Sequence, residues 1–164
     1  MATSEDNVVI LVAEDDEDDR RFVRDAFREL NFLGGLRFVA DGVELMDYLR
    51  DRITHGGQAA HEGPDLIILD LNMPRMNGYE VLKELRSDRC FISMPVIVLS
   101  TSHGEPEVSR CYELGANAFV RKPDTYGLLL KAMGDLRKFW INISELPPKC
   151  KPARRKKVPP DLCN

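Results

Sequence analysis
The chain has 164 residues, of which 43 % are apolar and 30 % charged, with a formal net charge of −4. That balance suits one ordinary soluble domain with a full core and argues against a disordered or fibrous chain. No apolar run reaches the roughly 18 residues of a membrane span, and the start, MATSEDNVVI, lacks the basic stretch before an apolar one that marks a secretory signal, so the expected location is the cytoplasm.

Strand-like and helix-like patterns alternate along the chain. The first strand is expected at Val8–Ala13. A helix follows from about Asp18, where a run of acids suits the positive end of a helix. Its stripe is Phe22, Val23, Ala26, Phe27 and Leu30. The second strand is expected at Leu36–Ala40, and the second helix at Val43–Ile53 with Leu45, Met46 and Leu49 inward. HGGQAAHEGP, residues 55–64, reads as a flexible connection of more than the usual length. The third strand is expected at Leu66–Asp70, and the third helix from Gly78 with Val81, Leu82 and Leu85 inward. Pro95 introduces a fourth strand at Val96–Leu99, and the fourth helix at Glu105–Leu114 stops at Gly115. The fifth strand is Ala118–Arg121. The fifth helix runs from Tyr126 to Ile143 with Leu129, Ala132, Met133, Leu136 and Trp140 as its stripe, and Pro147 and Pro148 end it.

Five repeats of strand then helix imply a parallel sheet with helices on both faces. The first, third and fourth strands are apolar throughout, as doubly covered strands should be. The expected fold is α/β, a flavodoxin-like doubly wound sheet of five strand–helix units with strand order 2-1-3-4-5. In such sheets ligands gather outside the carboxyl ends of the strands. Six polar residues fall there: Glu14, Asp15, Asp70, Asn72, Ser100 and Lys122. Carboxylates crowded at one place repel each other, so a cation or a phosphate neighbour is almost required. Mg²⁺ takes hard oxygen ligands and keeps several waters. A cation would let Asp70 attack phosphorus, with Lys122 pairing the phosphoryl oxygens and Ser100 donating to another.

The motifs ILVAEDD, DLIILDLNMPRMNGYEVL, PVIVLSTS and FVRKP resemble those of two-component response-regulator receiver domains, over about residues 8–142. The resemblance implies a receiver at 8–146, which leaves an N-terminal extension at 1–7 and a basic, Pro-rich tail at 147–164 whose composition suits a disordered end. It implies that Asp70 accepts the phosphoryl group. Asp15 and Asp70 would ligate Mg²⁺ with the backbone carbonyl of Asn72, and Glu14 would act on the ion through water. Ser100 matches the switch hydroxyl, Thr101 the small residue after it, Lys122 the phosphate-pairing lysine and Phe119 the aromatic whose rotamer reports phosphorylation. The Lys122–Pro123 bond is typically cis in the family. The stripe beginning at Phe22 favours Glu14 and Asp15 as the acid pair and leaves Asp16 a loop acid. Glu rather than Asp at position 14, and Ser rather than Thr at position 100, depart mildly from many receivers. ILVAEDDEDD, LNMPRMNGYEVL, VLSTS, CYELGANAFVRKP and KFWINISELPP are further similar to stand-alone receivers that serve phytochrome-type histidine kinases. That implies a phytochrome-type sensor kinase as partner. The family's dimers use the last strand and helix, where Phe139 and Trp140 suit an interface, although Trp140 taken alone also suits the core. With some 20 residues after the fifth helix, no output domain is expected, and the signal would leave by protein contact or onward phosphotransfer.

Several features stay open to plainer roles. Asp70 suits a strand-terminal cap, Lys122 a surface lysine, Ser100 a turn hydroxyl and Phe119 edge-strand packing. His55, His61 and His103 fall in loops without metal-ligand spacing. Cys90, Cys111, Cys150 and Cys163 form no CxxC pair and have no clustered His, which argues against zinc and leaves free thiols as the expectation. Residues 1–148 hold 17 basic and 26 acidic side chains, and residues 149–164 hold 6 basic and 1 acidic. The tail KCKPARRKKVPP suits either a solvated end or a contact with nucleic acid or an acidic partner. The acidic body and the lack of a helix-turn-helix weigh against a DNA-binding regulator. Asp70-Leu71-Asn72 is similar to the D-x-D pattern of aspartate-nucleophile phosphatases, but the second acid is missing. A phosphorylation-independent binding module is the remaining alternative.

Overall fold
A computed structural model of the chain describes residues 5–54 and 63–150. Five parallel strands form one sheet: β1 (Val9–Ala13), β2 (Gly35–Val39), β3 (Leu66–Leu69), β4 (Val96–Ser100) and β5 (Ala118–Arg121). Their order is β2-β1-β3-β4-β5. Five helices alternate with them: α1 (Glu17–Glu29), α2 (Gly42–Thr54), α3 (Gly78–Ser87), α4 (Glu105–Glu113) and α5 (Tyr126–Arg137). This is the flavodoxin-like doubly wound arrangement that the alternation of apolar runs implies. Among the described residues no helix is long and apolar enough to cross a membrane. The 55–62 connection with His55 and His61, and the tail from 151 with Cys163, lie outside the described residues.

The strands divide their side chains between two cores, as the period of two requires. Leu11, Ile67, Leu69, Val96 and Val98 pack with α2, α3 and α4 through Leu45, Leu49, Val81, Leu82 and Cys111. Ile10, Val12, Ile68, Ile97 and Leu99 pack with α1 and α5 through Val23, Ala26, Phe27 and Met133. Full burial of each large apolar side chain contributes about 1.5–3 kcal/mol. The register sets the ends of the two central strands level: Ala13 lies between Val39 on β2 and Leu69 on β3. Glu14 and Asp70 therefore leave the sheet side by side, at the point where the strand order reverses.

Local signals start the helices. The Asp16 carboxylate accepts the Asp19 N–H at 3.0 Å and so caps α1, whose first turn carries Glu17, Asp18 and Asp19. Asp16 is thus a helix cap rather than a plain loop acid. At α3, Asn77 and Glu80 form a reciprocal capping box.

Three expectations from the sequence are corrected. The fifth helix does not run regularly to Ile143: the α-helical part ends at Arg137, and Lys138–Ile143 is π-helical. The wider turn closes with Ser144 N–H donating to the Phe139 carbonyl at 2.8 Å, and it breaks the 3.6-residue stripe. Ile141 is buried, Trp140 is half-buried against the α1–α5 core, and Phe139 points out with an edge-to-face contact to Trp140. Phe22 is 40 % exposed, because it lies at the edge of the α1 stripe beside the start of α5, where its ring meets Tyr126 at 6.4 Å. Cys90 and Cys150 are joined as a disulfide with Cα atoms 5.1 Å apart, and Cys111 is a buried free thiol. The chain beyond Pro148 returns to the loop after α3, a contact that spacing alone cannot reveal. Beside it Lys149 Nζ lies 3.0 Å from Asp65 Oδ2.

Candidate functional site
Each polar group at the strand ends is fixed by backbone bonds that extend the sheet. Glu14 N–H donates to the Val39 carbonyl at 3.1 Å, and Asp70 N–H to the Ala13 carbonyl at 3.0 Å. Lys122 N–H donates to the Ser100 carbonyl at 2.9 Å, so the last sheet bond between β4 and β5 aims the lysine inward. Asp70 Oδ1 accepts the Leu71 N–H at 2.8 Å, which leaves Oδ2 facing Lys122. The loop after Asp70 is tied back by Gly78 N–H donating to the Leu71 carbonyl at 2.9 Å. A Cβ on Gly78 would lie 2.5 Å from the Asp70 carbonyl oxygen, so α3 approaches this closely only because residue 78 has no side chain.

Three carboxylates surround one ammonium. Lys122 Nζ lies 2.5 Å from Glu14 Oε2, 2.8 Å from Asp19 Oδ2 and 3.5 Å from Asp70 Oδ2. Burial alone would lower the lysine, but hydrogen bonds to Asp19 and Glu14 and the charge of Asp70 outweigh it, and its affinity for the proton is raised. Burial pushes Glu14 up to about 7 even though Lys122 opposes the shift, and Asp70 adds to it. Burial raises Asp70 as well, against Lys122 and two backbone N–H groups. Loss of water around the two carboxylates is thus the main reason that both resist ionisation, and at Glu14 the neighbouring charge of Asp70 adds to it.

Glu14, Asp15 and Asp70 each offer one oxygen, all within 4.8 Å of one another, with Glu14 and Asp70 buried and Asp15 exposed. Hard oxygens over that span, open to solvent on the Asp15 side, fit Mg²⁺ or Mn²⁺. Ser100 is fully buried, and its Oγ accepts the Ser102 N–H at 3.3 Å. Asn72 is exposed and donates through Nδ2 to Ser102 Oγ at 3.0 Å. Thr101 is exposed. Phe119 is half-buried on the α2–α4 side, and its N–H donates to the Tyr112 hydroxyl at 3.1 Å. The Lys122–Pro123 bond is trans, not cis, since no cis bond occurs among the described residues; trans is the lower-energy isomer of an X–Pro bond. Pro123, Phe22 and Tyr126 help to line a cavity of about 280 Å³ that opens beside Glu14 and Lys122.

Nothing in the strand-end logic points to two further groups. Asp19 reaches Lys122 from the first turn of α1. Arg20 Nη1 donates to the carbonyls of Glu14 at 2.7 Å and Asp15 at 3.0 Å, and so fixes the acidic loop. Their phase on α1 is the only sequence signal, and it emerges once the Asp16 cap is known.

A family profile for the response regulator receiver domain matches residues 10–133. The chain belongs to this family. The receiver is 34 % identical to the response regulator Rcp1 of Synechocystis over 85 % of this chain and 92 % of that protein. Its fold is similar to that of a phosphorylated cyanobacterial phytochrome response regulator, RcpA, with a TM-score of 0.77 at 34 % identity, covering 87 % of this chain and 99 % of the other. It is similar too to the Mn²⁺-bound form of Rcp1, with a TM-score of 0.75 at 33 % identity over 86 % of this chain and 99 % of that one. The protein is therefore a receiver-domain response regulator related to phytochrome response regulators. Receivers are signalling modules that bind Mg²⁺ or Mn²⁺ at an acidic cluster, and the triad of Glu14, Asp15 and Asp70 provides one.

Proposed function
We propose that Asp70 accepts a phosphoryl group from the phosphohistidine of a sensor histidine kinase, of phytochrome type. The observation that carries this is the Asp70 carboxylate, whose Oδ2 faces the Lys122 ammonium at 3.5 Å and which belongs to the carboxylate triad. The P–N bond of the phosphohistidine breaks as a P–O bond forms to Asp70. The imidazole nitrogen keeps the electron pair and takes up a proton. Glu14, Asp15, Asp70 and the carbonyl of Asn72 would hold Mg²⁺, which when bound neutralises charge on the phosphoryl oxygens. Lys122 moves toward the new oxygens, and the Ser100 hydroxyl turns to donate to one of them. Thr101 is small enough to follow, and Phe119 leaves its half-buried position. Pro123 holds the backbone after Lys122. This biases a two-state face made of α4, β5 and α5.

The reading includes a homodimer through β5 and α5, supported by Leu128 at 55 % exposure on α5 and Phe139 at 52 % just beyond it. It does not include enzymatic turnover, because Asn72 presents an amide where a phosphatase needs an acid. Incubation with Mg²⁺ and acetyl phosphate, read by intact mass and by sedimentation, tests it. One phosphoryl adduct on the wild type and none on Asp70→Asn is expected, with a heavier species after phosphorylation. An adduct on Asp70→Asn, or none on either protein with acetyl phosphate or a phytochrome kinase, would overturn it.

A further inference from the structure
Lys122 is held by a carboxylate outside the cation cluster. Its ammonium lies nearer to Asp19 than to Asp70, at 2.8 against 3.5 Å. Asp19 is absent from the triad whose oxygens converge within 4.8 Å. Its backbone is pinned, because its N–H is spent on the Asp16 cap at 3.0 Å. The lysine side chain is 14 % exposed, so it has little room to leave its partners, while Asp19 at 39 % stands at the rim. An ammonium has three protons. Glu14 and Asp19 take the two short contacts, and Asp70 is left the long one.

We infer that Asp19 is a positioning residue that holds Lys122 back from Asp70 and competes with the phosphoryl group for its ammonium. The inference rests on the proposal that Asp70 is the phosphoacceptor. A phosphoryl group on Asp70 must draw Lys122 across. Glu14 then has the cation as an alternative partner, whereas Asp19 has none in the cluster and continues to pull the other way. The charge on Asp19 thus sets how far the phosphorylated arrangement is favoured. Removing that charge while keeping the shape frees the lysine, so Asp19→Asn strengthens binding of a phosphoryl-like group. A merely structural role for Asp19 predicts the reverse, a loss.

The probe is beryllofluoride, a phosphoryl mimic that binds a receiver aspartate in the presence of Mg²⁺, titrated by tryptophan fluorescence or by ¹⁹F NMR. Asp19→Asn is expected to bind it about fivefold more tightly than wild type, the size of a partly exposed ion pair. Asp19→Glu, which keeps the charge, is expected to return toward the wild-type value. In a Lys122→Met background Asp19→Asn is expected to change nothing, since the coupling runs through the lysine. Equal or weaker binding by Asp19→Asn, or the same gain in the Lys122→Met background, overturns the inference. If the wild type binds no beryllofluoride, or Asp70→Asn binds it equally well, the phosphoacceptor proposal fails instead.

Discussion
Glu14 is the residue whose environment departs furthest from that of a free carboxylate. Burial lifts it from its ordinary 4.5 to about 7. Below about 4.5 both folded and unfolded chains hold the proton, and the folded state has the full benefit. As pH rises through 7 the buried carboxylate ionises, and that benefit is lost. Asp70 is raised too, so it adds to the fall with the same sign. The urea midpoint of the metal-free protein is therefore expected to drop between about pH 5 and pH 8, and Glu14→Gln is expected to flatten much of that drop. Millimolar Mg²⁺ should restore more stability at about pH 8 than at pH 5, because protons compete with the cation for the same oxygens. A midpoint that rises over this window, or one that Glu14→Gln leaves sloping as before, contradicts the assignment. At this scale the strand-end residues were legible, because an apolar run that stops at an acid marks where the sheet stops. Asp19 was not, because its role depends on the cap at Asp16 turning that face of α1 toward β5.

The elements were legible wherever a pattern had one period. β1, β3 and β4 are continuous apolar runs, and their ends agree with the structure to within a residue. The far end of α5 was not, since a π-helical turn changes the period inside one apolar stretch. The edge strand β5 carries a device that its sequence does not advertise. Phe119 N–H donates to the hydroxyl of Tyr112 on α4 at 3.1 Å. One side chain thus satisfies one donor of the open edge and joins α4 to the strand that bears Phe119 and leads to Lys122. Tyr112 is half exposed, so water can replace the lost acceptor in Tyr112→Phe. The expected cost is under about 1 kcal/mol in global stability. The local effect is expected to be larger, with amide exchange at Phe119 several-fold faster while the β1 and β3 amides are unchanged. Uniform acceleration across the sheet, or none at Phe119, would show that the contact does not couple the two elements.

At the scale of the molecule, function and closure lie at opposite ends of the sheet. The acidic cluster sits past the carboxyl ends of β1 and β3. Asp65 precedes β3 and accepts the Val9 N–H at 2.8 Å, which places it at the starting end, and Lys149 pairs with it there. The Cys90–Cys150 bond closes a loop of 60 residues beside that contact. Alternation of strands and helices revealed the domain because each unit is local. The cross-link is not local, and neither cysteine belongs to a motif. A bond across that span limits the unfolded chain by about 4 kcal/mol on the chain-entropy account. Truncation after Pro148 removes both Cys150 and Lys149. It is expected to lower the melting temperature by about 8–15 °C for a domain of this size. Phosphorylation by acetyl phosphate should survive, since the described part of the removed segment, Lys149 and Cys150, is anchored at the end of the sheet away from the cluster. Dithiothreitol should bring the full chain close to the truncated one and leave the truncated one unmoved, and Cys90→Ser should reproduce the reduced protein. Melting of the full chain that ignores dithiothreitol would remove the cross-link from the account, and loss of phosphorylation on truncation would show that the two ends of the sheet are coupled after all.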